Sequence, residues 1–419
     1  MLLSATTTNP TDWRYVSEGG ANIVFSFIGD PHLHPSFQGK VLRLCKIPRT
    51  SLGSPAFPDK NELALRFYRT VIENIIPLKN LPKLTAFTVD RDWLQALADV
   101  HESGRPPART RIDSIDVTRT SALMATDLVG QSTFSVEIKP KWGFLPSPTH
   151  LAIDTLPVKM RTCRFCRHEY LRSSQKGTTS LTQYCPLDLY SGDAHRIEKA
   201  IGDLWDGWVA TGGTGNNLKI FLHGKLIKPG ESMGLLQTQL DVGNDMGLLR
   251  DKFVATLLPL LVNTTVLHTL SKLQRTLDPL DIEGLSLLWN NSQSNTDDSV
   301  LSLGSKSTQP SIEEWSLFIE RYLSPDRPLD HKNPDSANLR YYILAYLLST
   351  TFKDCSIMLS VGSENDPGDD PVRVIDLDVK DINRFGKWRA LDQEIVEACR
   401  CVVHMQYCID SDTLNNLYD

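Results

Sequence analysis

Two acidic residues late in the chain have the types and spacing that phosphoryl transfer requires. Asp354 comes directly before the strand-like segment CSIMLSV (355–361), and Asp376 lies towards the end of VRVIDLDV (372–379). The segment between them is rich in turn residues, so we predict an antiparallel strand pair that brings both carboxylates to one open end. One aspartate there can orient or deprotonate a hydroxyl while the other holds Mg²⁺. Aspartates at strand ends can also be simple turn formers.

Basic residues accompany these aspartates in otherwise apolar segments, as three pairs: Lys139 with Lys141, Lys380 with Arg384, and Arg109 with Arg111. The first pair lies on one face of the alternating segment SVEIKPKWGFLP (135–146), and the second follows Asp376 at a spacing of four. The formal net charge of −6 excludes a globally basic surface, so a polyanionic ligand requires a local cluster of cations. Most Lys and Arg residues are nevertheless ordinary surface residues.

A glycine-containing segment near the start could contact phosphates. Glu18-Gly19-Gly20-Ala21-Asn22 can place backbone N–H groups over phosphates between two strands. A Gly-Gly pair in a hairpin is also commonly only a turn. No GxxxxGK[ST] or GxGxxG motif occurs, so the P-loop and Rossmann classes are disfavoured.

A second motif has metal-ligand spacing. Cys163-x-x-Cys166 is followed by His168, with Cys185 further along the chain, which suggests zinc. The motif is incomplete because no second closely spaced ligand pair follows, so cysteines that only pack in the interior are the alternative interpretation. No HExxH motif occurs, which disfavours a hydrolase of that class.

Hydropathy patterns predict an α+β chain of two lobes that positions these residues. Alternation over 13–28 and 40–47 predicts strands, and the stripe over 61–76 predicts a helix. We set the lobe boundary after Asp127, giving lobes of 1–127 and 128–419. The second lobe is predicted to be mainly helical, with a helix capped by Ser191, a helical region over 246–272, a capping box of Ser311 and Glu314, and a helix over 337–352. Segments 173–180 and 290–310 are predicted as mobile loops.

Composition supports a folded chain. Of 419 residues, 41% are hydrophobic and 22% are charged, which excludes a disordered chain. No stretch approaches the roughly 18 apolar residues of a membrane span, and the start lacks a signal-peptide pattern. We therefore expect a soluble protein of the nucleus, the cytoplasm or both. Eight cysteines in a chain of this length do not form a disulfide scaffold, so we expect most of them to be reduced.

Taken together, these motifs resemble the inositol-pentakisphosphate 2-kinase family, in a fungal-like form. The resemblance spans nearly the whole chain in the family's order and rests on these blocks: GGAN (19–22), EIKPKWGFLP (137–146), CRFCRH (163–168), YCPLDLYSGD (184–193), NNLKIFLHG (216–224), KDCSIM (353–358) and VIDLDVK (374–380). It implies a bilobal protein-kinase-like fold, with a small nucleotide-binding N-lobe and a larger C-lobe that carries the aspartates and a mainly helical inositide-binding part.

The resemblance also implies an activity and roles for residues. The chain would be a transferase of phytate biosynthesis that uses ATP and Mg²⁺ to phosphorylate the axial 2-hydroxyl of inositol 1,3,4,5,6-pentakisphosphate. Asp354 would be the base, Lys139 would stand between nucleotide and inositide, and Asp376 would bind Mg²⁺. The nucleotide would contact Gly19, Gly20, Ala21, Asn22, Arg43 and, at the hinge, Asp127. The inositide would contact Arg109 (chosen over Arg111), Lys141, His168, Arg172, Asn216, Asn217, Lys380, Arg384 and Trp388.

Some residues depart from the family pattern. Arg172 and Trp388 stand where plant relatives have Lys and Tyr, so phosphate contacts there would differ. Plant members carry zinc at a CPxC pair, and the corresponding stretch here, about 262–330, has no cysteine. Zinc of that kind is predicted to be absent, and the group of Cys163, Cys166, His168 and Cys185 would be a separate site.

Two alternative functions remain open at the level of sequence. One is a kinase of another inositol phosphate, and the other is a non-catalytic scaffold that binds inositol polyphosphates. The absence of HRD and DFG motifs argues against a protein kinase. We expect a monomer that needs no nucleic acid and does not insert into a membrane.

Overall fold

The computed structural model describes residues 4–51, 60–130, 132–177, 183–230, 232–294, 308–324, 326, 328–362, 370–400, 402 and 405–411. The chain contains both helices and strands, which confirms the predicted α+β class. It divides into two compact units. The first comprises Met1–Val136, Lys219–Lys228 and Met358–Arg373, and the second comprises Glu137–Leu218, Pro229–Ile357 and Val374–Asp419.

The first unit contains a six-stranded sheet with the order β1-β2-β3-β6-β4, in which β5 pairs with β3. The strands are β1 Trp13–Glu18, β2 Asn22–Phe27, β3 Lys40–Pro48, β4 Thr85–Thr88, β5 Asp113–Ile115 and β6 Ser121–Thr126. The pairs β1–β2 and β2–β3 are antiparallel, and the glycine pair lies in the turn between β1 and β2, as the sequence predicted. β6 ends directly before Asp127.

In the part of this unit that the structure describes, three helices accompany the sheet: α1 Lys60–Thr70, α2 Arg91–His101 and α3 Pro107–Thr110. The helix predicted over 61–76 is thus shorter, because the chain tightens into a 3-10 turn at Ile72–Asn74. The core is rich in aromatic side chains, and the ring of Trp13 makes edge contacts with those of Phe27, Phe37 and Trp93. Burial of these large rings supplies much of the apolar area that stabilises the unit.

A second sheet has five strands in the order β11-β10-β7-β8-β9. They are β7 Phe134–Ile138, β8 Leu218–Leu222, β9 Lys225–Ile227, β10 Ser356–Val361 and β11 Val372–Ile375. All five residues of β7 are buried, as expected for a central strand. β10 and β11 are neighbours, which confirms the strand pair predicted around the two aspartates. α13, described next, leads into β10, so Asp354 and Asp376 lie at ends of adjacent elements.

The second unit is mainly helical. Its helices are α4 Leu156–Arg161, α5 Arg164–Lys176, α6 Pro186–Leu189, α7 Ala194–Ala210, α8 Met233–Gln239, α9 Met246–Asn263, α10 Val266–Thr276, α11 Asp281–Ser294, α12 Ile312–Leu323, α13 Leu339–Asp354 and α14 Phe385–Cys399. The predicted capping box is present, since Ser311 accepts from the N–H of Glu314 and Glu314 accepts from that of Ser311. Among the described residues, no single helix combines the length and hydropathy of a membrane span; one pair bent by 61° (Met246–Asn263 with Val266–Ser292) passes that test only when its two parts are taken together.

Three local predictions need correction. The N-cap of α7 is Asp193, whose carboxylate accepts from the N–H of Arg196 at 2.9 Å, whereas Ser191 Oγ accepts from the N–H of Asp193. Both residue types cap helices well, so sequence could not separate them. The loops predicted over 173–180 and 290–310 both begin as helix, since α5 continues to Lys176 and α11 to Ser294; residues 178–180 and 295–307 lie outside the described residues. β7 ends at Ile138, so Lys139 and Lys141 are not strand residues.

Candidate active site

A cavity of about 260 Å³ lies within the second unit and is strongly cationic. Six of its lining residues are Lys or Arg and two are Asp, so it suits a ligand with several negative charges. The lining residues are Lys141, Trp142, Arg164, Phe165, His168, Arg172, Asn216, Asn217, Ile282, Tyr346, Thr350, Lys353, Asp354, Lys380, Arg384, Trp388, Leu391 and Asp392. The set includes every residue that the resemblance assigns to the inositide except Arg109, which belongs to the first unit.

Helix periodicity explains how α5 lines the cavity. Arg164, His168 and Arg172 lie at intervals of four residues, which places them on one face of the helix. The same spacing relates Arg384, the residue before α14, to Trp388 in its first turn. The two asparagines, Asn216 and Asn217, directly precede β8. Residues far apart in sequence thus reach one cavity through a few regular elements.

Asp354 ends α13 and is the acidic residue of the cavity most exposed to solvent, with 51% of its side chain accessible. Its carboxylate lies 2.8 Å from Lys380 Nζ and 3.4 Å from Lys141 Nζ. Burial raises the pKa of Asp354, but the ammonium groups of Lys380, Lys141 and Lys139 outweigh this effect and lower the pKa to about 2. Asp354 is therefore ionised throughout the neutral range and offers a carboxylate to a ligand in the cavity.

Asp376 follows β11 with a left-handed backbone (φ 62°), an uncommon conformation for a residue with a side chain. Its carboxylate lies 3.2 Å from Lys139 Nζ and 3.3 Å from the hydroxyl of Ser356, which can donate either to Asp376 or to Glu137 at 2.9 Å. Burial lowers the pKa of Lys139, but the nearby Asp376, Asp354 and Glu137 carboxylates raise it above its ordinary value. Lys139 thus stays charged between the two aspartates.

Lys141 also has a left-handed backbone, with φ 69°. The segment that holds it is fixed by Gln274 of α10, a fully buried residue that sequence analysis missed. Gln274 Nε2 donates to the carbonyl oxygens of Lys141 and Phe352, each at 3.0 Å, and its Oε1 accepts from the N–H of Gly143 at 2.8 Å. One amide therefore connects the Lys141 segment to the last turn of α13, which carries Asp354. A glutamine within a helix gives no sequence signal for such a role.

Two titratable side chains of the cavity are held in unusual states. Burial, together with the nearby cations of Arg172, Arg164 and Lys141, lowers the pKa of His168 to about 4, so His168 is neutral at pH 7. Lys353 is buried against Asp278, with Nζ 2.6 Å from the carboxylate and 4.0 Å from the centroid of the Trp142 ring. Burial lowers the pKa of Lys353, although Asp278 opposes this effect. Sequence analysis did not single out Lys353 or Trp142.

The residues predicted to contact the nucleotide lie in the first unit. The N–H of Gly19 donates to the carbonyl of Asn22, and the amide oxygen of Asn22, turned towards Arg43, accepts from Nε at 3.1 Å and from Nη2 at 2.7 Å. Asp127 is buried, and its carboxylate accepts from the N–H groups of Val129 and Gly130 and from the hydroxyl of Ser26. Its side chain therefore stabilises the turn that follows β6.

Arg109 lies on α3 in the first unit and is half-buried. The neighbouring buried arginine, Arg105, has a structural role, because it pairs with Glu18 at 2.9 Å and with Asp113 at 2.6 Å. Lys46 joins the same cluster at 2.9 Å from Glu18. These buried pairs hold the residue that directly precedes the glycine turn.

The cysteine motif gathers a different set of residues from the one predicted. Four sulfur atoms lie within 4.8 Å of one another, those of Cys163, Cys166, Cys185 and Cys408. His168 is not in this group. It lies one turn after the start of α5 and lines the cavity instead. The predicted group of Cys163, Cys166, His168 and Cys185 is therefore wrong in one member.

Comparisons with known proteins give the family of the chain. A family model described as inositol-pentakisphosphate 2-kinase matches residues 15–394. An inositol-pentakisphosphate 2-kinase of Cryptococcus neoformans is 32% identical over 406 residues, covering 93% of each chain. One of Arabidopsis thaliana is 26% identical over 448 residues, covering 92% of each chain, and one of Danio rerio is 31% identical over 233 residues, covering 52% of this chain and 44% of its own. With its cationic cavity and paired aspartates, the chain belongs to the inositol-pentakisphosphate 2-kinase family.

Proposed function

We propose that the chain transfers the γ-phosphoryl group of ATP to the axial 2-hydroxyl of inositol 1,3,4,5,6-pentakisphosphate, giving inositol hexakisphosphate and ADP. The observation that carries the proposal is the exposed carboxylate of Asp354 at the edge of a cavity lined by six basic residues. The name of the family agrees with this substrate and with this position of transfer. A less anionic sugar would bind to a cavity of this charge less well, because it would make fewer charge-assisted hydrogen bonds with the Lys and Arg side chains.

Substrate binding would rely on neutralising the charge of the phosphates and on orienting the inositol ring. The guanidinium groups of Arg172 and Arg384 and the ammonium groups of Lys141 and Lys380 would each contact substrate phosphates, with Arg109 as a further contact. Charge-assisted hydrogen bonds of this kind are roughly twice as strong as neutral ones. The amides of Asn216 and Asn217, the neutral ring of His168 and the ring of Trp388 would add uncharged contacts that orient the inositol ring.

Catalysis follows from positioning more than from basicity. The 2-hydroxyl oxygen forms a bond to the γ-phosphorus, the bond from that phosphorus to the β,γ-bridging oxygen breaks, and the hydroxyl proton passes to Asp354. A base with a pKa of about 2 removes a proton poorly in the ground state. In a loose phosphoryl-transfer transition state the proton moves late, so a carboxylate that orients the hydroxyl is sufficient. Lys139 would stabilise the charge on the transferring group.

The nucleotide and its metal have candidate ligands in this chain. Asp376 offers hard carboxylate oxygens on a half-exposed side chain, which is the donor type that Mg²⁺ prefers. Bound Mg²⁺ would neutralise charge on the nucleotide phosphates. The backbone of Gly19, Gly20 and Ala21 would contact those phosphates, together with Asn22 and Arg43, and the hinge at Asp127 would meet the nucleoside.

The remaining parts of the proposal concern the whole molecule. We expect a bilobal protein-kinase-like fold, in which 1–127 is the nucleotide-binding lobe and 128–419 is the catalytic and inositide-binding lobe. We also expect a monomer located in the nucleus, the cytoplasm or both. Sedimentation of the purified chain tests whether it is a monomer, and imaging of a tagged copy in its own cells tests its location.

The decisive experiment resolves products by anion exchange after the chain is mixed with Mg·ATP and inositol 1,3,4,5,6-pentakisphosphate. We expect a hexakisphosphate product that falls by roughly 100-fold to 10,000-fold in Asp354→Asn, the range for loss of a general base. Asp376→Asn should lose turnover and respond less steeply to Mg²⁺. Asp330→Asn, in an exposed turn, is the matched control and should keep wild-type turnover.

Two outcomes would redirect the assignment. Binding of the pentakisphosphate without any product would favour a non-catalytic scaffold, and faster transfer to another inositol phosphate in a competition assay would favour a kinase of that substrate. Wild-type turnover in Asp354→Asn would remove this residue from the proposed role of base.

A further inference from the structure

The chain between β11 and α14 carries two cations of the cavity but has little regular structure. β11 ends at Ile375, α14 begins at Phe385, and a 3-10 turn at Ile382–Arg384 lies between them. Lys380 and Arg384 line the cavity from this segment. Backbone outside a helix or a sheet is held in place only where its N–H and C=O groups find other partners. The partners of this segment therefore decide how well its cations are placed.

The side-chain amide of Gln309 supplies two such partners. Its Nε2 donates to the carbonyl oxygen of Lys380 at 3.1 Å, and its Oε1 accepts from the N–H of Ile382 at 3.0 Å. The two contacts lie on either side of Asp381, so they fix both the position and the direction of the backbone there. The carboxylate of Asp381 in turn accepts from the N–H of Asn383 at 2.9 Å and closes the 3-10 turn. The Lys380 side chain thus starts from a backbone that is held on both sides of the next residue.

Gln309 is itself held by its neighbours. It precedes a buried proline, Pro310, whose ring restricts the backbone of Gln309 to extended conformations. On the other side, Arg340 of α13 donates to the carbonyl oxygen of Thr308 at 2.9 Å. The same guanidinium pairs with Glu314, a member of the capping box of α12, at 2.8 Å. Gln309 is therefore fastened to α13, the helix that ends with the proposed base.

We propose that Gln309 is a positioning residue for the inositide, which holds the ammonium group of Lys380 where a substrate phosphate meets it. The inference rests on the proposed function and adds a residue on which substrate recognition depends. Gln309 is outside the cavity lining given above, so it acts through Lys380 and does not touch the substrate. It is an exposed residue, so its removal leaves the core of the unit intact.

The benefit to binding comes from ordering Lys380 in advance. A lysine side chain has many rotamers, and a mobile backbone multiplies the conformations that a ligand must restrict. A backbone that Gln309 already holds removes part of this cost from the binding step. The substrate phosphates stay bound while the 2-hydroxyl reacts, so the gain is shared by the ground state and the transition state. Loss of Gln309 should therefore raise KM for the inositide more than it lowers kcat.

The first test needs neither substrate nor turnover, so its failure is distinguishable from failure of the proposed function. Hydrogen exchange followed by mass spectrometry compares Gln309→Ala with the wild type in the absence of ligand. The N–H of Ile382 loses its acceptor in the variant, so we expect peptides that contain Ile382 to exchange faster. Gln393→Ala, at an exposed glutamine of α14, is the matched control and should leave exchange in these peptides unchanged.

The second test measures binding and kinetics with inositol 1,3,4,5,6-pentakisphosphate. We expect Gln309→Ala to weaken binding in calorimetry roughly 10-fold, as the loss of two hydrogen bonds implies, and to raise KM for this substrate by a similar factor. kcat and KM for ATP should change less than about 2-fold, and Tm should fall by no more than about 4 °C. Gln309→Glu should be intermediate, because its carboxylate still accepts from Ile382 but cannot donate to the Lys380 carbonyl. A fall in kcat and Tm at unchanged KM would show a merely structural role and overturn the inference.

A double-mutant cycle tests whether Gln309 acts through Lys380. Pentakisphosphate binding is measured for Gln309→Ala, for Lys380→Ala and for the combined variant. Once the Lys380 ammonium is gone, the position of its backbone should matter little, so we expect the combined variant to bind less than about 3-fold more weakly than Lys380→Ala alone. A full further loss of roughly 10-fold would mean that the two residues act independently, which would overturn the inference.

Two further results would refute this inference alone. They are exchange at Ile382 that is the same in Gln309→Ala and the wild type, and wild-type pentakisphosphate binding in Gln309→Ala. Binding that weakens equally in Gln393→Ala would also contradict it, because loss of any surface glutamine would then have the same effect. Absence of pentakisphosphate binding in the wild type would refute the proposed function and, with it, this inference.

Discussion

Replacement of Gln274 by methionine should disturb both stability and catalysis, because one buried amide joins two segments of the site. Gln274→Met keeps the length of the side chain but removes the partner of the Gly143 N–H and of the Lys141 and Phe352 carbonyls. Each buried group left without its partner costs about 1–3 kcal/mol. The three together predict that the free energy of unfolding falls by about 3 kcal/mol or more, since backbone relaxation and water recover part of the upper limit.

The effect on turnover has a separate cause. Gln274 fixes the segment of Lys141 against the last turn of α13, which carries Asp354, so its loss should change the spacing between Lys141, a proposed phosphate contact, and Asp354, the proposed base. Misplacement of a reacting group by about 1 Å costs on the order of 100-fold in rate. We therefore expect kcat to fall by roughly that factor, with a smaller change in KM for the inositide.

Urea denaturation and product analysis by anion exchange measure the two effects. Gln95→Met, an exposed glutamine on α2, is the control and should change neither quantity. Gln274→Glu should be intermediate, because its carboxylate can still accept from Gly143 but cannot donate to the two carbonyls. Wild-type stability and kcat in Gln274→Met would refute the argument, and a loss of stability at unchanged kcat would refute the part that concerns positioning.

Two further predictions follow from buried charges. Lys159 Nζ lies within 2.8 Å of the Asp281, Glu283 and Asp392 carboxylates, so Lys159→Met should lower the free energy of unfolding by roughly 3–5 kcal/mol in urea denaturation. Burial already raises the pKa of Asp281 to about 6 in the folded chain, so Asp281 carries less negative charge at pH 5 than at pH 7. The loss of unfolding free energy in Lys159→Met should therefore be smaller at pH 5 than at pH 7, and an equal loss at the two pH values would contradict the prediction. The ring of His168 should stay neutral down to about pH 5 in ¹⁵N NMR spectra of the folded chain, because its folded pKa is about 4. Since the unfolded chain takes up this proton first, His168 should lower the free energy of unfolding as pH falls from 6.5 towards 4. A ring that titrates above pH 6 would show that burial and the surrounding cations do not lower the pKa of His168.

Local patterns predicted much of the fold because they depend on neighbouring residues. Short segments of sequence were sufficient to predict the Gly-Gly turn between β1 and β2, the strand pair β10–β11 and the capping box of Ser311. The predicted helix over 61–76 was too long, because an apolar stripe continues through the 3-10 turn that ends α1. Lys139 and Lys141 continue the alternation of β7, although the strand ends before them.

The parts of the site that sequence could not predict depend on long-range packing. Cys408 lies 223 residues beyond Cys185, so no spacing rule connects it with the CxxC pair. Gln274 and Lys353 acquire their roles only where α10 and α13 meet the segment after β7. Most residues that line the cavity lie within the family motifs. Arg164, Phe165 and Trp142 lie within these motifs too, but the sequence predicted no role for them.

The pairing of the site's cations with its own carboxylates has a consequence for ligand choice. In the structure, Lys380 and Lys141 contact Asp354, and Lys139 contacts Asp376. An incoming polyphosphate must therefore compete with these internal anions before it gains its full set of contacts. On the proposed function, ligands with few phosphates would gain too little to separate the pairs, whereas a densely phosphorylated ring would bring enough charge to do so. We therefore expect the aspartates to set a threshold on ligand charge and to add selectivity at the expense of affinity.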